Sequence, residues 1–264
     1  MKMKSIYSTF IISLILLSVG AHSKDNSINY FEFYKQNSTL PSSLKSIELN
    51  PHHITNNNYH SYSLPSKNLI EKISNKFFIE YPDNEKIIAE INFIKKNKNY
   101  MRQVLSRAKP FFSYIVSELK ARNMPLELAL LPIVESSYDP FAYSIGQAAG
   151  LWQMIPITAS RFGLEQNWWF DGRRDLIFST GAALDYLAYL YNYFDDNWLL
   201  AIAAYNAGEG SISKAIEKNQ AKSMPTDFWN LELSRQTTAY VPRLLALIEI
   251  IKYPKKYNSE ISSE

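Results

Sequence analysis

ALLPIVESSYDPFAYSIGQAAGLWQMIP, residues 129–156, opens with the end of an uncharged run, 128–134, that stops on the carboxylate of Glu135. The run predicts a helix over about 126–135, with Glu135 at its end. A carboxylate behind so many apolar side chains is expected to be partly desolvated. Desolvation disfavours the charged form, raises the pKa and keeps the group protonated near neutrality, as a general acid requires. Taken alone, Glu135 has a competing reading as an exposed helix-end residue.

A paired-carboxylate site would need a second acid within roughly 5 to 10 Å. Asp139 precedes Pro140, which disfavours helical geometry at the residue before it, so Asp139 should leave the helix and not share a face with Glu135. Asp171 and Asp175 flank Gly172-Arg173-Arg174, where pairing with the arginines or a turn role is the expected use. Glu135 therefore stands without an evident carboxylate partner, which favours a chemistry that needs one acid.

Outward from this stretch the apolar residues keep helical spacing. Leu69, Ile73 and Phe77 form one set; Ile87, Ile88, Ile91 and Ile94 follow the turn at 81–84; Val104, Leu105 and Ala108 precede Pro110, and Phe111, Phe112, Ile115 and Leu119 lie beyond it. Further helices are predicted over 180–194, 198–205, 211–218 and 237–252. No comparable period-two stretch appears, so the fold class is all-α, with no internal repeat.

The 264 residues are 46% hydrophobic and 20% charged, enough for one domain with extensions. Lys2 and Lys4, an apolar stretch near 10–19 and the small residues Gly20, Ala21 and Ser23 read as a signal peptide over 1–23, with an uncleaved anchor as the rival. Residues 24–65, rich in Asn, Ser, Tyr and His, read as a flexible polar arm. Next come a helical N-terminal extension over 66–120, a catalytic domain over 121–254 and a polar tail over 255–264 that should fray.

Without Lys2 and Lys4 the formal charge falls from +3 to +1, which leaves no footprint for nucleic acid or an anionic membrane. The absence of cysteine excludes disulfides, thiolate metal sites, a thiol nucleophile and a lipidated cysteine. The four histidines all fall in the signal or the arm, without partners at ligand spacing, so no metal and no cofactor are expected.

Two other stretches carry possible chemistry. Trp168, Trp169 and Phe170 offer faces for sugar stacking, but at least two of the three are expected in the core or a hydrophobic lid. In Ala203 to Ser211, Asn206 and Gly208 suit a helix C-cap and Ser211 the cap of the next helix. The Tyr205 phenol is placed either to reach an acid or to bond a backbone carbonyl.

Together these motifs resemble the lytic transglycosylase (SLT-domain) family: ESSYDPFAYSIGQAAGLWQMIP matches its first two motifs and AAYNAGEG its third. NMPLELALLPIVES, NWWFDGRRD, DNWLLAIAAYNAGEG and TDFWNLELSRQTTAYVP extend the likeness over about 69–257. The resemblance implies a lysozyme-like all-α catalytic domain acting on peptidoglycan glycan strands at the MurNAc–GlcNAc bond, with 1,6-anhydro ends as product. It implies Glu135 as catalytic acid and base. Ser144 would contact the acid or the substrate's N-acetyl region, Gln153 would line the cleft, and Trp152 would wall it. Tyr205 and Asn206 would orient Glu135 and bind sugar, and Tyr240 would close the site from the last helix.

The chain departs from the family in carrying Gln236-Thr237 where Glu-Thr is usual, and in lacking the lipidated cysteine and the LysM repeats of some members. A periplasmic protein without a lipid anchor, released by its signal peptide, is the expectation. The alternatives are a hydrolytic muramidase on the same fold and a catalytically silent glycan-binding scaffold.

Overall fold

The computed structural model describes residues 69–257; the stretches expected as signal peptide and polar arm, and the last seven residues, lie outside them. The order is α1 Leu69–Ser74, α2 Glu85–Lys96, α3 Lys98–Ala121, a 3-10 turn Leu126–Leu130, α4 Leu131–Ser136, α5 Pro156–Arg161, a second 3-10 turn Gly172–Arg174, α6 Leu176–Tyr193, α7 Trp198–Ala207, α8 Glu209–Gln220, a third 3-10 turn Phe228–Asn230, α9 Arg235–Lys252 and α10 Pro254–Tyr257. Among the described residues there is no strand, only the isolated bridges Tyr143–Ala149, Ala149–Met154 and Gln166–Asp171. The all-α class holds.

Short polar side chains set where the helices begin. Asn84 Oδ1 accepts from Lys86 N at 2.9 Å, Asp175 Oδ1 from Ile177 N and Phe178 N at 2.8 and 2.9 Å, Asn197 Oδ1 from Leu200 N at 3.1 Å and Ser234 Oγ from Thr237 N at 3.2 Å. Each satisfies an amide that the first turn leaves unpaired. Helices α6 and α9 bury side chains along most of their length, α7 packs between them, and α2 lies against α9.

Three boundaries differ from the sequence expectation, and one helix crosses a proline. Helix α3 runs through Pro110 without a break; Pro110 is exposed, so water can take the carbonyl that its missing N–H frees. The helix expected over 126–135 is a 3-10 turn followed by α4. Ser211 caps nothing: α8 starts at Glu209, with Gly208 as its N-cap and as the C-cap of α7 at φ +80°. Tail residues 254–257 fold into α10 and return to α9, where the Tyr257 hydroxyl and Lys256 Nζ donate to Glu249 Oε1 at 2.8 and 2.9 Å.

One hydrophobic core holds side chains from both sides of residue 120, from Ile73, Ile87 and Ile91 to Leu187, Ile202 and Leu245. Fully buried Glu127 joins the extension to that core: its Oε1 accepts from Ile79 N at 2.7 Å and from Phe78 N. The site described next thus rests on a single packed body.

Candidate active site

Glu135 sits in the last turn of α4. Its carboxyl is desolvated, and burial pushes its pKa up to about 7 against the downward pull of the Tyr240 hydroxyl, which donates to Oε1. Tyr240 comes from the middle of α9 and is itself buried. Burial and the Tyr240 hydrogen bond are the causes of the Glu135 shift, with no neighbouring carboxylate among them. Asp139 has left the helix, and its Oδ1 accepts from Phe141 N at 2.9 Å.

The two serines after Glu135 hold it in place, a role that motif reading had not assigned. Ser136 Oγ donates to Leu151 O at 2.8 Å, tying the end of α4 to the Gly-Leu-Trp-Gln loop. Ser137 ends α4 at φ +55° and Tyr138 follows at φ +59°, two successive left-handed residues that turn the chain sharply away. Arg107 Nε donates to Ser137 O at 2.8 Å, and the Ser137 hydroxyl pairs with that of Tyr100. The fully buried Tyr138 donates its hydroxyl to Ala129 O at 2.7 Å, which pins the turn to the start of the same segment. Polar residues directly behind an apolar helix were the available signal.

The loop over 141–154 is gripped from behind by Arg173. This buried guanidinium pairs with Asp171 at 2.7 and 2.8 Å and donates to Gln147 O at 2.5 Å and Met154 O at 3.2 Å, so one side chain clamps both ends of the loop's second half. The pairing expected between Asp171 and the arginines is present. The arginine's hold on the loop was not legible, because its acceptors are backbone carbonyls.

The remaining predicted residues differ in how they are used. Ser144 Oγ accepts from Ala148 N at 3.0 Å, within its own loop. Gln153, left-handed at φ +47°, donates its amide to Gly150 O at 2.8 Å and Ala142 O at 3.2 Å, so it braces the loop and does not offer that donor to a cleft. Trp152 walls no open space: it is fully buried and its indole N–H donates to Thr180 Oγ1 at 3.1 Å. Tyr205 is close enough to Glu135 for that charge, after burial, to push its own pKa up, yet its hydroxyl donates to Trp152 O at 2.8 Å. Of the two tyrosines, Tyr240 is the one bonded to the acid.

Asn206 Oδ1 accepts from the Thr237 hydroxyl at 3.2 Å, and both residues line a cavity of about 420 Å³ with Ser211, Ser234 and Gln236. This cavity lies one residue beyond Tyr205 and one helical turn before Tyr240. At least two of Trp168, Trp169 and Phe170 are expected in a core or lid, whereas Trp168 and Trp169 are exposed at 86% and 71%. They stand at the tip of a hairpin whose turn leaves nothing to cover them. Among the described residues no His, Asp and Glu cluster is able to hold a metal ion.

A polar contact between a buried tyrosine and a lone carboxyl makes a direct test possible. Tyr240→Phe removes a donor that stabilises the Glu135 anion, so the pKa of Glu135 should climb further. Turnover should fall roughly ten- to a hundredfold, and the alkaline limb of the pH–rate profile should move to higher pH. A limb left in place would mean that the hydroxyl does not act on the acid.

A helical domain with one desolvated glutamate behind an Arg-clamped loop agrees with what comparison finds: residues 113–228 match the transglycosylase SLT domain, and the chain belongs to that family. Over 193 residues it is 45% identical to membrane-bound lytic murein transglycosylase D of Escherichia coli K12, which covers 73% of this chain and 43% of that protein. It is 42% identical over 150 residues to a putative tributyltin chloride resistance protein of Alteromonas sp. strain M-1, covering 57% of this chain and 72% of that one. The chain thus spans less than half the length of its Escherichia coli relative. Among solved structures, the 70 kDa soluble lytic transglycosylase of Escherichia coli superposes with a TM-score of 0.45 at 19% identity, over 65% of this chain and 30% of that one. The SLT match ends at residue 228, so Tyr240 enters the site on the evidence of its contact with Glu135.

Proposed function

We propose that the protein is a lytic transglycosylase that cleaves the β-1,4 bond between MurNAc and GlcNAc in peptidoglycan and leaves 1,6-anhydro-MurNAc ends. The observation that carries this reading is Glu135: a single desolvated carboxyl, half protonated near pH 7, bonded to Tyr240 and to no second acid.

One group poised near neutrality can serve first as acid and then as base. Protonated Glu135 gives its proton to the glycosidic oxygen as the C1–O bond breaks, and the leaving GlcNAc departs with a free 4-hydroxyl. The substrate's own 2-acetamido carbonyl stabilises C1, the route open to glycosidases that lack a nucleophilic carboxylate. The Glu135 anion then takes the proton of the muramyl C6 hydroxyl while that oxygen attacks C1. The ring closes, Glu135 is protonated again and no water is consumed. The Tyr240 hydroxyl stabilises the anion between the two steps, and the cavity beside Asn206 and Thr237 presents amide and hydroxyl groups to a sugar. Ser144, Gln153 and Tyr205 act in this reading by holding the loop and tyrosine framework around the acid.

The likeness to a murein transglycosylase supports a place in the cell envelope, and the expected signal peptide supports the periplasm. No helix among the described residues is long and apolar enough to cross a membrane.

The product decides the matter. Purified sacculi digested with the protein should yield muropeptides that end in 1,6-anhydro-MurNAc, one water lighter than the hydrolytic products, when separated by liquid chromatography with mass detection. Predominantly reducing muramyl ends would assign a muramidase instead. Intact sacculi with bound protein would assign a scaffold.

A further inference from the structure

Trp168 and Trp169 take part in none of the contacts described above around Glu135, and they are the most exposed tryptophans of the described chain, at 86% and 71%. Two indoles left in water forgo the burial that large aromatics normally gain. Their exposure is built in. Asn167 N donates to Phe170 O at 2.8 Å, and Asn167 Oδ1 accepts from Trp169 N at 3.1 Å and Phe170 N at 2.9 Å, which closes the turn. Gln166 and Asp171 bridge at its base, Phe170 packs edge-on against Phe178 at 6.3 Å, and Asp171 is held by Arg173. The hairpin is anchored at every point except the two rings that it presents.

The rings lie 4.3 Å apart between centroids and are tilted by 56°, which makes two walls of a shallow notch open to solvent. Around them stand the exposed Glu165, Gln166 and Asn167, whose side-chain carboxylate and NH2 groups face water. The basic side chains of the same segment are committed elsewhere: Arg173 as above, and Arg174 to Phe141 O at 3.1 Å and over the Tyr143 ring. An anionic membrane surface or a nucleic acid would be met by free cations beside the aromatics. Indoles beside amides and a carboxylate suit instead a ligand with a flat CH face edged by hydroxyl and acetamido groups.

We propose that Trp168 and Trp169 form a carbohydrate platform that stacks on the pyranose rings of a β-1,4-linked, N-acetylated glycan strand, outside the residues that surround Glu135. The inference rests on the reading of the substrate as a peptidoglycan strand, a polymer long enough to be held at a second point while one bond is cut. Such a contact raises residence on the insoluble wall through effective concentration and needs no part in the chemistry.

The test uses the full chain carrying Glu135→Gln, so that the wall stays intact, and measures co-sedimentation with purified sacculi. Adding Trp168→Ala and Trp169→Ala should weaken retention about tenfold or more with little change in melting temperature, since the rings touch each other and stand largely in water. Trp168→Phe with Trp169→Phe should keep most of it. Vesicles of phosphatidylethanolamine and phosphatidylglycerol should not sediment the parent protein. Equal retention of the alanine pair, equal loss in the phenylalanine pair, or sedimentation with vesicles overturns the platform. If the native chain releases no anhydro ends while the alanine pair still loses wall binding, the enzymatic reading falls and the platform stands.

Discussion

The Glu135→Gln protein is expected to fold, to bind its substrate and to lose about a thousandfold or more of its turnover, because in the proposed reaction one side chain supplies both proton transfers. The amide keeps the shape of the acid and can still accept from Tyr240, but it has no proton to give to the leaving oxygen and no basicity toward the C6 hydroxyl. Stability should move the other way. Burial raises the folded-state pKa of Glu135 from 4.5 to about 7, so the folded protein binds more protons than the unfolded chain across that window. The contribution of Glu135 to stability is therefore fully present below pH 4.5 and is lost as pH rises through 7. The glutamine variant, which never ionises, should melt at or above the temperature of the parent at pH 8, with the gap closing toward pH 4.5. In the parent, turnover should fall tenfold per pH unit above about pH 7 as the acid form disappears. More than a few per cent of parental turnover in the glutamine variant would move the acid elsewhere.

The all-α class was legible because helices α2, α6 and α9 each repeat buried residues at helical spacing, a signal spread over many positions. The acid was legible for a related reason: seven uncharged residues ahead of Glu135 predict its desolvation without any knowledge of the fold. What stayed hidden depends on backbone acceptors and on exposure. Tyr205 has the same sequence context whether its hydroxyl reaches Glu135 or Trp152 O, and only the position of the loop decides between them. Whether a helix passes through Pro110 is not decided by the sequence, because that depends on its face of α3 being wet. Two or more of Trp168, Trp169 and Phe170 read as core or lid because composition carries no information about an Asn-anchored hairpin tip. Gln153 resembles a cleft residue, but the left-handed backbone that it adopts turns its amide back on Gly150 and Ala142.

Gly150→Ala is expected to abolish the proposed activity without touching Glu135. Gly150 has φ +78°, and a Cβ placed there would stand 1.9 Å from Arg173 O and 2.8 Å from Arg173 C. The colliding group is backbone, and it is unable to retreat, since the guanidinium of the same residue is fixed to Asp171, Gln147 O and Met154 O. The loop must give way instead. With it would go the Gly150 N to Ala142 O bond of 3.0 Å, the Leu151 carbonyl that holds Ser136 beside the acid, and the Trp152 carbonyl that holds Tyr205. A stability loss on the order of 3 kcal/mol and a hundredfold or greater drop in turnover should follow. Gly163→Ala supplies the control: its φ is +81° but no atom lies within 4 Å of the added methyl, so it carries the left-handed strain without the collision and should cost about 1 kcal/mol with turnover retained. Thermal melts and muropeptide release measured on both variants separate the two causes. If Gly150→Ala melts with Gly163→Ala and keeps its activity, the loop is not pressed against Arg173, and the clamp that positions the acid would have to be sought elsewhere.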